Sequence, residues 1–487
     1  MISDNLEAQI VRNFTHEPTK EQKNVIQKWS SFLLSRKTDE IFLLTGYAGT
    51  GKTSLVGALV KTMRQLQQPV MLLAPTGRAA KVFSLYAETP AYTIHRRIYR
   101  QKSLTEPDCF QANVNLHRHT LFIVDEASMI ATGGLSPSIF GTGRLLDDLI
   151  KFVYSCEGCR LMLVGDTAQL PPVGETESPA LNPGVLGAYG MTVCQSCLTE
   201  VVRQQNESGI LWNATHLRSL LSSNQLSAFP RLRLQGFPDI VNLPTADLID
   251  ALEACYSNQG REETIVITRS NRRANLYNQG IRARLLDYEE ELACGDRVMV
   301  ARNNYYWTRE ETGEKREKGK EKKEENGLPF IANGDMAEVR RLRHQRELYG
   351  FCFADATLSF PDYGDLELEA TVLLDTLRSE APSLTQEEQE RLFQGVWDDW
   401  PEITNRHDRM QRLRQDQHYN ALQLKYAYAV TCHKAQGGQW KYVFIDQGYV
   451  TTDMLSPDYF RWLYTALTRA TERVYLVSWP EEQSIIK

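Results

Sequence analysis

The stretch IFLLTGYAGTGKTS, residues 41–54, decides the fold. Its leading apolar residues, Ile41 to Leu44, read as a buried strand. Gly46-Tyr47-Ala48-Gly49-Thr50-Gly51-Lys52-Thr53 follows at once, and the next residues, SLVGALVKTMRQL, have helical spacing. Strand, glycine-rich turn and helix in this order is the setting in which G-x-x-x-x-G-K-[ST] carries a mechanism. The glycines let backbone N–H groups close around phosphate oxygens, and the helix points the positive end of its dipole at them. Lys52 is expected to reach the β- and γ-phosphates, and the Thr53 hydroxyl to hold Mg²⁺. A plain glycine-rich turn is the competing reading, and the complete motif in its complete setting disfavours it. The stretch predicts a nucleoside triphosphate site.

Upstream, PTKEQKNVIQKW (18–29) looks like a capped helix, with Thr19 as N-cap and Gln22 closing a capping box. Downstream, PVMLLAPTGRAAKVF (69–83) reads as strand, turn and helix. Ligands of open α/β sheets sit at strand ends, which makes Thr76 and Arg78 contact candidates; a solvated helix start explains them equally well. AYTIHRRIY (91–99) and the polar residues to His119 fit a small excursion from the sheet. LFIVDEASMI (121–130) is a buried strand ending in Asp125-Glu126, the expected Mg²⁺ ligand and water-activating base downstream of such a loop. RLMLVGDTAQLPPVG (160–174) repeats strand and polar turn, with Asp166 and Gln169 aimed at the same edge. Alternation of strand and helix implies a mostly parallel sheet.

A second unit is expected from LTEVVRQ (198–204). ETIVITRSNRRANLYNQGIRARLL (263–286) is strand, turn and helix, with Arg269, Arg272 and Arg273 near the turn. CGDRVMVARNNYYW (294–307) and NGDMAEVRRL (333–342) look like pieces of a small barrel. Residues 309–326 hold seven Lys or Arg and seven Glu, a balanced run expected to be a solvated hairpin tip rather than a nucleic-acid tail. Residues 382–420 read as charged helices. The sheet is expected to resume with LKYAYAVTCHKAQGGQWKYVFID (424–446) and to close with WLYTALTRATERVYLVS (462–478).

The 487 residues carry a net charge of −6, with 42% hydrophobic and 24% charged residues. That is a globular composition, and the charge speaks against indiscriminate coating of nucleic acid without excluding a local basic channel. MISDNLEAQIVRNF is not expected to be a signal peptide, and no apolar run approaches the ~18–20 residues of a membrane span. Nine scattered cysteines fit a reducing compartment, so a cytoplasmic setting is expected. Cys156/Cys159 and Cys194/Cys197 form two C-x-x-C pairs. Their 34-residue separation and the apolar strand at the second pair favour small buried hydrophobes over a zinc site.

The chain resembles superfamily-one 5′→3′ DNA helicases of the RecD-like and phage Dda-like group. The resemblance rests on EQ (21–22), GYAGTGKT (46–53), APTGRAA (74–80), TIH (93–95), VDEAS (124–128), GDTAQLPPVG (165–174), LTEVVRQ (198–204), TCHKAQGGQW (431–440) and YTALTRA (464–470). It implies an α/β fold with two RecA-like parallel sheets. A wedge-like excursion at 97–118 belongs to the first domain (1–197). The second domain (198–291 and 421–487) is interrupted at 292–420 by an SH3-like barrel and charged helices. It implies ATP and Mg²⁺ as cofactors, with Gln22 reading adenine and Gly46, Gly49, Thr50, Gly51, Ser54 and Gly437 joining Lys52 and Thr53 around the nucleotide. Asp125 would hold the metal, Glu126 polarise water, Gln169 sense the γ-phosphate, and Arg203 and Arg469 act as arginine fingers. Thr76, Arg78, Thr93, His95, Asn271, Thr431 and His433 would touch single-stranded DNA, mainly its backbone. The implied partners are single strands and single-strand/duplex junctions, and a monomer is expected. A non-enzymatic DNA-binding subunit and an ATPase switch that moves no nucleic acid are the other classes considered. Intact Lys52, Asp125, Glu126, Arg203 and Arg469 weigh against the first; stimulation of hydrolysis by single strands separates the second.

Overall fold

A computed structural model describes residues 2–14, 16–103, 106–133, 141–201, 207–308 and 330–485. Arg203 and the balanced charge run at 309–326 lie outside the described residues. The chain divides into two compact units. One comprises Met1–Arg100, Phe110–Ala274 and Val430–Lys487; the other comprises Gln101–Cys109 and Asn275–Ala429.

The first unit contains two sheets. In the six-stranded one the order is Ala91–Thr93, Val70–Ala74, Leu121–Val124, Arg160–Gly165, Glu40–Gly46, Thr192–Leu198, with every neighbour parallel. Its central strands are unbroken apolar runs because helices cover both faces. Phe42 and Leu44 meet Leu55, Leu59 and Met63 of the helix Lys52–Gln65 in one core, together with Trp29, Ile123 and Val164. Each such aliphatic side chain contributes roughly 1.5–3 kcal/mol on burial. Ala91–Thr93 is the edge strand of this sheet, and the helix Ile94–Ile98 follows it. The excursion is therefore narrower than the sequence suggests: Tyr99–Ser103 and Glu106–Ala112 form a two-stranded sheet of their own. Three residues are too few to show a strand period, which hid the edge strand.

The five-stranded sheet runs Ile240–Leu243, Ala470–Val477, Trp440–Asp446, Thr264–Thr268, Ala429–Thr431. Its first four strands pair in parallel. The strand Ile240–Leu243 was not legible beforehand, since IVNL has only four residues and a polar one among them.

In the second unit a closed barrel is built from Arg297–Val300, Met336–Leu348, Phe351–Phe360, Leu366–Leu373 and Leu422–Tyr426. The last strand corrects the expectation that residues from 424 belong to the parallel sheet. Val298 pairs with Tyr426 and Val372 with Leu422, so LQLKY closes the barrel and the sheet resumes only at Ala429. An apolar run looks alike in both settings. The charged segment before it supplies the helices Gln386–Asp398 and Arg406–Leu413. They bury Leu392, Val396 and Leu413 against Phe351, Phe353 and Leu373 of the barrel, so their charges face outward around an apolar seam. Among the described residues no helix is long and apolar enough to cross a membrane.

The barrel unit also holds a buried ion pair. Arg282 donates from Nε to Asp296 Oδ1 at 2.9 Å and from a terminal nitrogen to Oδ2 at 2.8 Å. Tyr428 donates to the same carboxylate at 2.9 Å, and the guanidinium lies 4.5 Å from the Tyr426 ring. Removing one partner leaves a buried charge uncompensated. Arg282→Ala is expected to lose about 3–5 kcal/mol in chemical denaturation, and Arg282→Lys to recover only part, because an ammonium cannot make the paired bonds. A loss below about 1 kcal/mol for the alanine variant would show that solvent reaches the pair.

Candidate nucleotide and nucleic-acid site

The glycine-rich loop has the backbone its composition requires. Gly49 and Gly51 sit at φ 77° and 80°, conformations that side chains resist, and Gly51 caps the helix Lys52–Gln65. Lys52 folds back so that Nζ donates to the carbonyls of Gly46 and Tyr47, the latter at 2.9 Å. It also lies 3.9 Å from Asp166 Oδ2. Around this loop opens a cleft of about 810 Å³.

Of the residues expected at the nucleotide, Gln22, Gly49, Gly51, Lys52, Thr53 and Ser54 line the cleft, with Asp125, Glu126, Gln169 and Arg469. Gly46 and Thr50 are not part of the lining and act through their carbonyls, which accept from Lys52 and from Gln22 Nε2 (3.1 Å). Gln22 also completes the capping box with Thr19, so its amide serves helix and loop together. Gly437 is outside the lining. A Cβ placed there would come within 2.9 Å of the Ala79 Cβ and 3.2 Å of Thr76 Oγ1, so this glycine permits close approach to the helix Gly77–Ala87.

Asp125 and Glu126 stand at the end of the strand Leu121–Val124. Asp125 Oδ1 accepts from the Glu126 N–H at 2.9 Å, and Glu126 has φ 51°, a left-handed conformation that costs a non-glycine residue about 1–3 kcal/mol and concentrates at functional sites. Loss of solvent, reinforced by the neighbouring Glu126, pushes the Asp125 carboxyl up to about 7. Tyr86 shares this corner: burial, reinforced by Asp125 and Glu126, pushes its phenol pKa up and keeps it neutral, while its hydroxyl bonds the Thr53 side chain. A desolvated carboxylate and a threonine hydroxyl opening on one cleft form an oxygen donor set suited to a hard divalent cation.

From the five-stranded sheet, Arg469 reaches the opposite wall. Its guanidinium lies 3.7 Å from Glu126 Oε1 and donates to the carbonyls of Thr465 and Gly438. The turn Asp166–Leu170 is held from the same side. Leu170 N donates to Thr465 Oγ1 at 3.0 Å, Gln436 Nε2 donates to Leu170 O at 2.7 Å, and Tyr464 donates to Asp166 Oδ2 at 2.6 Å. Gln169 is buried in this turn with its Oε1 unbonded, facing the cleft.

The expected DNA contacts fall into two groups. Thr76, Thr93 and His95 follow or end neighbouring parallel strands of the six-stranded sheet. Thr76 and Thr93 are N-caps whose hydroxyls accept from Ala79 and Arg96, and Thr93 is buried. Burial pushes the His95 imidazole down to about 4, so it would meet a ligand uncharged. Arg78 donates to Gln439 O at 2.9 Å and stacks 4.4 Å from the Trp440 ring; it is engaged with protein. Asn271 and His433 follow, and Thr431 ends, adjacent strands of the five-stranded sheet. Sequence reasoning missed Tyr86, Tyr464 and Gln436, although the last two sit inside motifs it had singled out. For the cysteines, Cys159 is buried with its thiol donating to His117 O, and Cys197 is exposed. No cluster of three or more potential metal ligands occurs among the described residues.

Fold and cleft together define a P-loop nucleotide-binding protein with paired RecA-like sheets. The family described as "AAA domain" matches residues 18–231, and the "UvrD-like helicase C-terminal domain" matches 426–477. The ATP-dependent RecD2 DNA helicase of Deinococcus radiodurans is 32% identical over 195 residues, covering 40% of this chain and 24% of that one. The multifunctional conjugation protein TraI of Escherichia coli is 22% identical over 284 residues, covering 52% and 16%. The chain spans less than a third of the length of either relative. A Pif1 helicase structure from Bacteroides, in complex with ADP-AlF3 and ssDNA, aligns over 96% of this chain and 94% of that one at 16% identity and TM-score 0.45. Both matches fall on one chain in this order, and with the RecD2 likeness they make it similar to superfamily-one helicases of the RecD-like group.

The Asp125 geometry yields a pH prediction. A carboxyl whose pKa is raised on folding penalises the folded state, and the penalty grows from the unfolded pKa upward until it is complete above about 7. Asp125→Asn removes it. The variant is expected to melt above the parent at pH 8, with the gap shrinking toward pH 5. A gap that is equal at both pH values would mean that Asp125 stays ionised in the folded protein throughout.

Proposed function

We propose that this chain is an ATP-dependent DNA helicase that translocates 5′→3′ on single-stranded DNA and unwinds duplex. The observation that carries the reading is Arg469, which comes from the five-stranded sheet and faces Glu126 at 3.7 Å in the cleft around the glycine-rich loop. Hydrolysis needs that convergence. Lys52 and the loop amides bind the triphosphate, Glu126 takes a proton from the attacking water, and Arg469 compensates the charge spreading over the transferred phosphoryl group. Arg203 is assigned the same work from its motif. Thr53 and Asp125 would hold Mg²⁺, which supplies further charge neutralisation when bound.

Gln169, buried and facing the cleft, is the proposed γ-phosphate sensor. Its turn is bonded to Thr465 and Gln436, so occupancy would be felt by the five-stranded sheet. The single strand would run over Thr76, Thr93 and His95 on one sheet and Asn271, Thr431 and His433 on the other, with Gly437 keeping the two groups close. Arg78 would contribute to the track through its stack on Trp440 rather than as a free cation. Contacts of this kind read backbone and confer little sequence preference. We assign residues 1–197 to the first motor domain, 198–291 with 427–487 to the second, and 292–426, including the strand Leu422–Tyr426, to the inserted barrel and helices. The strands at 99–112 are the proposed wedge at a junction. A monomer working in the cytoplasm beside the nucleoid, in repair, recombination or replication, goes with this reading.

Two experiments test it. Lys52→Ala should abolish ATP hydrolysis while single-strand binding survives, and Arg469→Ala should keep nucleotide binding but lose about 10³-fold or more in turnover, since a finger acts on the transition state. Normal turnover at saturating ATP in the arginine variant would remove Arg469 from that role. For polarity, a duplex with only a 5′ tail should be unwound and one with only a 3′ tail should not; the reverse pattern overturns the direction.

A further inference from the structure

The phenol of Tyr464 makes two bonds that connect the nucleotide loop to the opposite sheet. It accepts from the Ala48 N–H of the glycine-rich loop at 2.9 Å and donates to Asp166 Oδ2 at 2.6 Å. The ring is among the largest fully buried side chains, and Asp166 is equally enclosed. Tyr464 belongs to the helix Pro457–Leu467, whose Thr465 accepts from Leu170 and which ends just before Arg469.

The same Asp166 oxygen faces the Lys52 ammonium at 3.9 Å. Among the described residues three donors face that carboxylate: Tyr464 and Lys52 toward Oδ2, and the Ala168 N–H on Oδ1 at 2.9 Å. A desolvated carboxylate takes whatever donor it can reach. Without the phenol, the remaining donor for Oδ2 is the lysine that must extend to the phosphates. The Ala48 amide would lose its acceptor at the same time, freeing the loop from the helix.

We infer that Tyr464 is a positioning residue for the nucleotide site: its hydroxyl satisfies Asp166 so that Lys52 stays available to phosphate, and it ties the glycine-rich loop to the helix that leads to Arg469. This rests on the nucleotide-site reading above, whose own control is that parent protein binds a fluorescent ATP analogue with Mg²⁺ and Lys52→Ala does not.

The test is equilibrium binding of that analogue to the full chain. Tyr464→Phe is expected to weaken binding by about 10-fold, the scale of one hydrogen bond to a charged group. In an Asp166→Asn background, where the competing charge is gone, adding Tyr464→Phe should cost less than about 3-fold, because the pair acts as one unit. Asp166→Asn alone should bind at least as tightly as the parent, which keeps the inference testable if Tyr464→Phe does not fold. Parent-like binding by Tyr464→Phe, the same multiple of loss in both backgrounds, or a 10-fold loss in Asp166→Asn alone would each overturn it.

Discussion

The structure depends on keeping one partly buried ammonium usable. Lys52 stands at the base of the cleft among carbonyl oxygens and a carboxylate, all of which stabilise its charge and all of which compete with phosphate for it. The glycines around it permit this crowding: Gly49 and Gly51 adopt backbone angles that other residues resist. A Cβ on Gly46 would sit 3.0 Å from the lysine's own Cγ. The six-stranded sheet supplies the rigid edge from which the loop projects, and its uninterrupted apolar strands follow from that requirement for rigidity.

The second sheet reaches the cleft through hydrogen bonds and an ion pair at a few points. Thr465, Gln436, Tyr464 and Arg469 meet the turn Asp166–Leu170 and the Asp125-Glu126 corner. Such contacts are directional and break over short displacements. They suit a surface that has to change partners during a cycle better than close-packed side chains would, because packed cores respond to strain as a block.

Much of the α/β architecture was legible because long apolar strands alternate with helices, and because the glycine-rich loop has one structural meaning in that setting. The cleft residues Lys52, Thr53, Asp125, Glu126 and Gln169 could be named for the same reason: each sits in a polar motif directly downstream of an unbroken apolar run. The edge strand Ala91–Thr93 and the strand Ile240–Leu243 were hidden because three or four residues are too short to display a period. Leu422–Tyr426 was assigned to the wrong sheet because burial on both faces looks the same in a barrel and in a parallel layer. Gly437, expected at the nucleotide from its motif, lies outside the cleft lining and close to Thr76 and Ala79. Tyr464 escaped notice because its importance comes from tertiary neighbours 298 and 416 residues away, which no local pattern encodes.

The strained Glu126 has a consequence for how this site can vary. Its φ of 51° places the carboxylate at the corner only while the neighbouring backbone holds it there, since the relaxed conformation would swing the side chain away. Asparagine and glycine tolerate that backbone best, and neither can accept a proton as glutamate does. With Glu126 in its proposed role as proton acceptor, substitution here faces opposite slopes: the residues that relieve the backbone would silence the chemistry, and the residue that would perform it sits against the preference of its own backbone.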